Sequence, residues 1–260
     1  LWVEPVDGSA PRRVMFEPPE GGATEENLSP EEKLQRERKR ERSLGVTQYA
    51  WAPKASRVLV AFEESVRHYR HPEKVEVVGM PVRREFIFDT KEGARKELGL
   101  SGFVVVSAFG SQGAKVMNET IADMIPLEQA DGFPFRHIHA TGSFGKEWMP
   151  KRVKDNGVDY ENCPAIDIRE YIYDMPTVLT AADVVIGRAG SATCNEIAAS
   201  GTPCILVPSP NVTNNHQEKN ARVLESGGGA VVLLEKDCTA ETLYGLIRQL
   251  LSDETRRAQM

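Results

Sequence analysis

The sequence predicts an α/β protein built on a Rossmann-like, doubly wound parallel sheet. Three observations carry that prediction. Short apolar runs recur along the 260-residue chain, most of them separated by helix-length segments, and such alternation yields a parallel sheet covered on both faces. The run Asp183-Val184-Val185-Ile186 is continuously apolar after its first residue, as a strand buried on both sides must be. Turns of small residues, Phe109-Gly110-Ser111-Gln112-Gly113-Ala114 and Gly190-Ser191-Ala192-Thr193, directly follow strand candidates.

Residues 1 to 46 stand apart from this pattern. Glu17-Pro18-Pro19-Glu20-Gly21-Gly22 is turn-rich, and Glu31 to Arg42 is almost entirely charged. Ser29 is a suitable N-cap and Pro30 a first-turn residue, so a helix is expected there. It would be polar all round, which marks a solvated or disordered arm. A membrane-contacting role for Arg36, Arg38, Lys39, Arg40 and Arg42 is set against the interruption of that basic run by Glu37 and Glu41.

Strands are expected at Val58 to Phe62, Val75 to Gly79, Phe103 to Phe109, His137 to Thr141, Ile166 to Tyr171, Asp183 to Ile186, Cys204 to Val207 and Ala230 to Leu234. Helices are expected at Gln112 to Gln129, Gly145 to Asn156, Asn195 to Ser200, Asn215 to Glu225 and Ala240 to Leu251. Gly79-Met80-Pro81-Val82-Arg83 reads as a linker. Residues 47–85 are then the remnant of an earlier domain, and 86–260 form the sheet domain.

Composition narrows the function. A net charge of −6 argues against a nucleic-acid binder, which carries a basic excess. Cys163, Cys194, Cys204 and Cys238 are widely spaced without a C-x-x-C pair, which points to free thiols rather than a disulfide framework or a zinc site. No apolar run approaches the ~20 residues that span a bilayer. The chain opens on Leu1 rather than Met, and a truncated product is the expectation.

The motifs indicate an anion and a diol. A small-residue turn between a strand and a helix leaves backbone N–H groups facing outward, where a phosphate can accept from them. Glu196, one turn into the following helix, can accept from two adjacent hydroxyls, as on a ribose. Gly110 and Gly113 let the backbone approach a diphosphate, Ser111 can donate its hydroxyl, and Gln112 is expected to open the helix. Each has a plainer reading. Glu196 can be an exposed first-turn carboxylate, His216 and Gln217 polar residues at a helix start, and the glycines steric. Convergence favours a site: Ser111, Ile172, Gly190 and Ser209 all follow strands, and open parallel sheets bind ligands beyond their strands' carboxyl ends. His137 and His139 share one strand face with no third metal ligand at suitable spacing, and a packed or edge position is expected rather than a metal site. His68 and His71 are expected to face solvent. Neither a Gly-x-Ser-x-Gly elbow nor a Gly-Lys-Ser/Thr phosphate loop is present.

In order along the chain, Gly79-Met80-Pro81-Val82-Arg83, Gly110-Ser111-Gln112-Gly113-Ala114, Arg169-Glu170-Tyr171-Ile172-Tyr173-Asp174-Met175, Ala181 through Glu196, and His216-Gln217 through Asn220 resemble the MurG family. The resemblance runs from about Val46 to Met260. It implies the C-terminal, donor-binding half of a GT-B glycosyltransferase that moves N-acetylglucosamine from UDP-GlcNAc to lipid I, with inversion, to give lipid II for peptidoglycan. It further implies a site at the cytoplasmic face of the bacterial membrane, and neither cofactor nor metal. By the same resemblance Arg83 and the backbone of Ile172 lie near the uracil, Glu196 takes the ribose hydroxyls, and Ser111 with Gly113 meets phosphate. Gly190, Ser191, Ala192 and Thr193 wrap the diphosphate and sugar, while Gln217 and Asn220 read the sugar hydroxyls.

The departures from that pattern are specific. The family's Gly-Gly-Thr-x-Gly-His loop, which supplies its catalytic base, has no counterpart here, so no catalytic residue is assigned and weak or absent transfer by this chain is expected. Arg42-Ser43-Leu44 stands where the family has His-Glu-Gln-Asn, Met80 replaces an Asn, and Cys194-Asn195 replaces an aliphatic-Ser pair. Two other readings accompany the first: a non-catalytic nucleotide-sugar-binding subunit of a split GT-B transferase, and a relative of UDP-GlcNAc 2-epimerase.

Overall fold

A computed structural model describes residues 2–5, 12–13, 51–60 and 63–260. The charged helix expected from Ser29 to Arg42 lies outside those residues, as does the Phe62 end of the first expected strand. The chain divides into two compact units, Leu1–Pro81 and Val82–Met260.

Among the described residues the first unit holds a four-stranded sheet. Trp2–Pro5 (β1) lies between Arg12–Arg13 (β2) and Ala55–Val60 (β3), antiparallel to both, and Val75–Val77 (β4) runs parallel to β3. The two N-terminal strands fall in the stretch read from sequence as a charged, atypical segment; their few residues carry no pattern long enough to announce a strand. Ala52, Ala55, Val58, Val60 and Tyr69 form this unit's core. His71 is exposed, but His68 is half-buried rather than solvent-facing, because it ends the short 3-10 turn Glu63–His68 directly before buried Tyr69.

The second unit is a six-stranded, wholly parallel sheet. Its strands are Val104–Ala108 (β5), Arg136–Ala140 (β6), Ile166–Arg169 (β7), Val184–Gly187 (β8), Cys204–Leu206 (β9) and Ala230–Val232 (β10). Their spatial order is β10-β9-β8-β5-β6-β7, so the order reverses between β5 and β8, where such sheets bind ligands. Side chains alternate across the sheet with the strand period of two. Val105, Val184, Ile186 and Ile205 point to one core, and Val104, Val106, Val185, Cys204 and Leu206 to the other.

Helices Glu85–Phe88 (α1), Lys91–Leu98 (α2), Met175–Ala181 (α5), Ser191–Ser200 (α6) and His216–Ser226 (α7) cover the second face. Lys115–Ala130 (α3), Trp148–Asp155 (α4) and Ala240–Ser252 (α8) cover the first. Met117, Ile121, Met124 and Ile125 recur at helical spacing on α3, and all are fully buried. Each such side chain contributes about 1.5–3 kcal/mol of burial free energy. Glu254–Gln259 (α9) closes the chain.

The eight expected strands all occur, with ends that coincide or move by up to three residues. Helices α1, α2, α5 and α9 were not expected. Three are only four to seven residues long, too short to show a period. The other, α2, is a polar helix whose single fully buried residue is Ala94, so it has no apolar stripe to read. It is bounded by a Thr90 side chain accepting from the Gly93 N–H at 3.1 Å and by left-handed Gly99 at φ 61°.

Buried charges sit at the opposite edge of the sheet from the turns. Asp183 accepts from Lys91 at 2.8 Å, from Arg95, and from the Val104 N–H at 2.8 Å. This joins the start of β5 to the start of β8. His137 and His139 are packed, as expected, in a fully buried chain. Glu128 meets His137 at 2.8 Å, His137 meets Ser107 at 2.8 Å, and Ser107 meets His139 at 2.7 Å. Burial pushes His139 down to about 3. All four cysteines are free.

Candidate functional site

The carboxyl ends of five strands close on one row. Arg169, Ala140, Ala108, Gly187 and Leu206 are register partners in sequence across the sheet. Ile172, Ser143, Ser111, Gly190 and Ser209 each lie three residues beyond that row. Ser111, Ile172, Gly190 and Ser209, singled out from the sequence, therefore rise from one edge, with Ser111 and Gly190 flanking the point where strand order reverses. Only small side chains stand at the centre of the row: a Cβ on Gly187 would come within 3.3 Å of the Ala108 carbonyl.

Helix α6 begins earlier than the sequence indicated. Gly190 is its N-cap at φ −65° and ψ 148°, and its carbonyl accepts from the Cys194 N–H at 2.9 Å. Ser191, Ala192 and Thr193 are thus the first helical turn itself, not a loop preceding one. No side chain caps this end, so the first-turn N–H groups face outward with the positive end of the dipole. Glu196 accordingly sits in the second turn and is half-buried, which corrects the reading of it as an exposed first-turn carboxylate. The helix ends, as expected, on Gly201 in the left-handed region at φ 61°. Cys194, behind that turn, is buried, and burial pushes its thiol up to about 12.

The turn after β5 differs from expectation in one respect. Gln112 does not open the helix; α3 starts at Lys115, because Gly113 holds φ +78°, outside the helical region. Ser111 is exposed and Gly113 half-buried. The turn is bound to the one after β6, where the N–H groups of Ser143 and Phe144 donate to the carbonyls of Ser111 at 3.3 Å and Gln112 at 3.1 Å.

Ile172 contributes backbone only. Its side chain is 1% exposed and packs in the second core with Phe86, so the position gathers at the site through its main chain and not through its side chain. The exposed Arg83 guanidinium lies over the Phe86 ring at 5.4 Å, and Phe86 belongs to the same core as Ile172. Tyr171 and Tyr173, flanking Ile172, meet edge to face at 5.0 Å and are exposed.

Gln217 and Asn220 have structural partners. The Gln217 side-chain oxygen accepts from the Ser209 N–H at 2.9 Å, and Asn220 Nδ2 donates to the Ala189 carbonyl at 3.0 Å. From two points on α7 they hold the turns after β9 and β8. The Gln217 amide nitrogen remains the group able to donate to a ligand. His216 meets the Thr213 carbonyl at 3.1 Å.

Sequence reasoning missed two residues that shape this edge. Arg188 donates to the Val207 carbonyl at 3.1 Å and pairs with Glu235, tying the ends of β8, β9 and β10 together. Its signal was a lone charge between an apolar strand and a small-residue turn. Asn118 is the other, a polar side chain inside the apolar stripe of α3. Among the described residues no cluster of His, Cys, Asp and Glu is arranged to hold a metal ion.

Comparison with known proteins gives a consistent result. The family model for the glycosyltransferase family 28 C-terminal domain matches residues 103–260. The UDP-N-acetylglucosamine--N-acetylmuramyl-(pentapeptide) pyrophosphoryl-undecaprenol N-acetylglucosamine transferase of Acetivibrio thermocellus is 39% identical over 218 residues, covering 83% of this chain and 58% of the relative. The protein of the same name from a Thermoanaerobacter species is 42% identical over 198 residues, covering 75% and 53%. The crystal structure of Acinetobacter baumannii MurG superposes with a TM-score of 0.58 at 26% identity, over 83% of this chain and 58% of that one. The chain therefore spans little more than half the length of the relatives it matches.

Proposed function

This chain belongs to the glycosyltransferase family 28 C-terminal-domain family, and from that premise we propose that it is the donor-binding half of an inverting N-acetylglucosaminyltransferase. Its fold is that of the C-terminal half of a GT-B glycosyltransferase. The proposed reaction moves N-acetylglucosamine from UDP-GlcNAc to lipid I, forming lipid II for peptidoglycan. The observation that carries the reading is the shared register row, from which Ser111, Ile172 and Gly190 rise in step.

In this proposal the acceptor hydroxyl attacks the anomeric carbon in line, and UDP leaves from the opposite face. The charge that develops on the leaving diphosphate falls at the uncapped first turn of α6, where the N–H groups of Ser191, Ala192 and Thr193 are already oriented. Gly190 keeps that end open, and Ser111 and Gly113 approach the phosphates from the other side of the reversal point. Glu196 accepts from the ribose hydroxyls, the Ile172 main chain and Arg83 border the uracil, and the Gln217 amide nitrogen with Asn220 reads the sugar. The proton of the acceptor is not assigned to a residue of this chain. Among the described residues no helix is long and apolar enough to cross a membrane, and we place the meeting with the lipid-linked acceptor at the membrane surface.

A calorimetric titration of the chain with UDP-GlcNAc, UDP and ADP tests the reading. Binding of both uridine nucleotides, with ADP much weaker, is the expected result. Failure to bind UDP at all, or equal binding of ADP, would remove the basis of the proposal.

A further inference from the structure

We propose that Asn118 is a positioning residue for the diphosphate: it locks the Ser111–Gly113 turn in place without touching ligand. The inference rests on reading that turn as phosphate-facing, and it concerns a residue that neither motif nor resemblance singled out.

Asn118 is 1% exposed, on the side of α3 that packs against the sheet. An amide there is costly unless it is hydrogen-bonded. Its Nδ2 donates to the Thr141 carbonyl at 2.7 Å, just past the end of β6. The amide orientation follows from that partner, since a carbonyl can only accept.

Three glycines close around this contact. A Cβ on Gly145 would lie 2.2 Å from Asn118 Nδ2 and 2.6 Å from the Thr141 oxygen. One on Gly113 would lie 2.0 Å from the same oxygen and 3.3 Å from Nδ2, and one on Gly142 would lie 2.1 Å from the Gly113 nitrogen. Backbone, amide and carbonyl leave no room for a Cβ at any of the three glycines, so the turns after β5 and β6 form one body. The Ser143-to-Ser111 and Phe144-to-Gln112 hydrogen bonds complete it.

Removing the Asn118 amide strands the Thr141 carbonyl and frees the turn that carries Ser111 and Gly113. The uracil and ribose contacts proposed for Arg83, Ile172 and Glu196 come from other segments of the chain and are untouched. The consequence is therefore specific to phosphate.

The test titrates UDP and uridine into the full chain, as wild type, Asn118→Ala and Asn118→Ser, with a thermal melt of each. Asn118→Ala should lose on the order of tenfold in UDP affinity, as a misplaced charge-assisted contact does, while uridine affinity is unchanged. A serine hydroxyl at this position is too short to span to Thr141 yet leaves a polar group in place, so Asn118→Ser carries the same expectation should the alanine variant not fold. A folded variant that keeps the wild-type preference for UDP over uridine overturns the role of Asn118 and leaves the site intact. Wild type that binds UDP no better than uridine overturns both.

Discussion

Gln217 and Ser209 are joined by a hydrogen bond of 2.9 Å from a backbone N–H to a side-chain oxygen. The bond makes the first turn of α7 the support of the turn after β9. It also divides the Gln217 amide between two tasks, the oxygen holding the protein and the nitrogen free to meet a sugar.

That division predicts different outcomes for two substitutions. Gln217→Glu keeps an acceptor for Ser209 but loses the donor, so discrimination between UDP-GlcNAc and UDP-GalNAc should fall while the melting temperature holds. Gln217→Ala should lose both, with about 1 kcal/mol of stability gone from the missing bond. In Gln217→Ala UDP affinity should change little. Titration of the three nucleotides beside thermal melts checks this, and unaltered sugar discrimination in Gln217→Glu would remove Gln217 from the sugar site.

Glu196 is proposed to act on the ribose, which every uridine nucleotide shares. Glu196→Ala should weaken UDP-GlcNAc, UDP-GalNAc and UDP by a similar factor, on the order of tenfold for a charged hydrogen-bonding group. A loss restricted to one sugar nucleotide would contradict the assignment.

Gly142 is held at φ +69°, with the Gly113 nitrogen only 2.1 Å from where a Cβ would stand. Gly142→Ala adds a steric clash to a strained backbone and should cost about 1–3 kcal/mol or more. Gly110, also at positive φ but with open space around it, should cost less on the same change. Denaturant titration of the two variants measures the difference, and equal losses would mean that the clash with Gly113 is relieved without cost.

His139 links stability to pH. Its folded-state value, about 3, lies below the ordinary 6.5 because burial disfavours the cation. Between those values the unfolded chain binds the extra proton, so stability is complete above about 6.5 and falls as the solution is acidified, by up to about 1.4 kcal/mol per pH unit for one proton. Denaturant melts at pH 7, 6 and 5 should show the decline in wild type and a shallower one in His139→Gln. Parallel slopes would show that another group takes the proton.

The local elements were legible because their signals are local. Val104-Val105-Val106 and Val184-Val185-Ile186 announce buried strands by composition, and Gly201 announces a helix end by conformation. Element starts were harder. The small residues Ser191-Ala192-Thr193 look like a loop yet form a helical turn, and Gln112 looks like a helix start yet precedes Gly113, whose positive φ lies outside the helical region.

The strands of the parallel sheet, the turn motifs and the family resemblance were properties of the sequence by itself, since each signal is carried by neighbours a few residues apart. Only the tertiary structure decided which groups face a ligand. The parallel register aligned Arg169, Ala140, Ala108, Gly187 and Leu206 into one row. Burial took the Ile172 side chain into the core, and hydrogen bonds committed part of Gln217 and Asn220 to distant turns. Close packing turned Asn118 and three glycines into a single support. These outcomes depend on contacts between residues far apart in the chain, which no local pattern encodes.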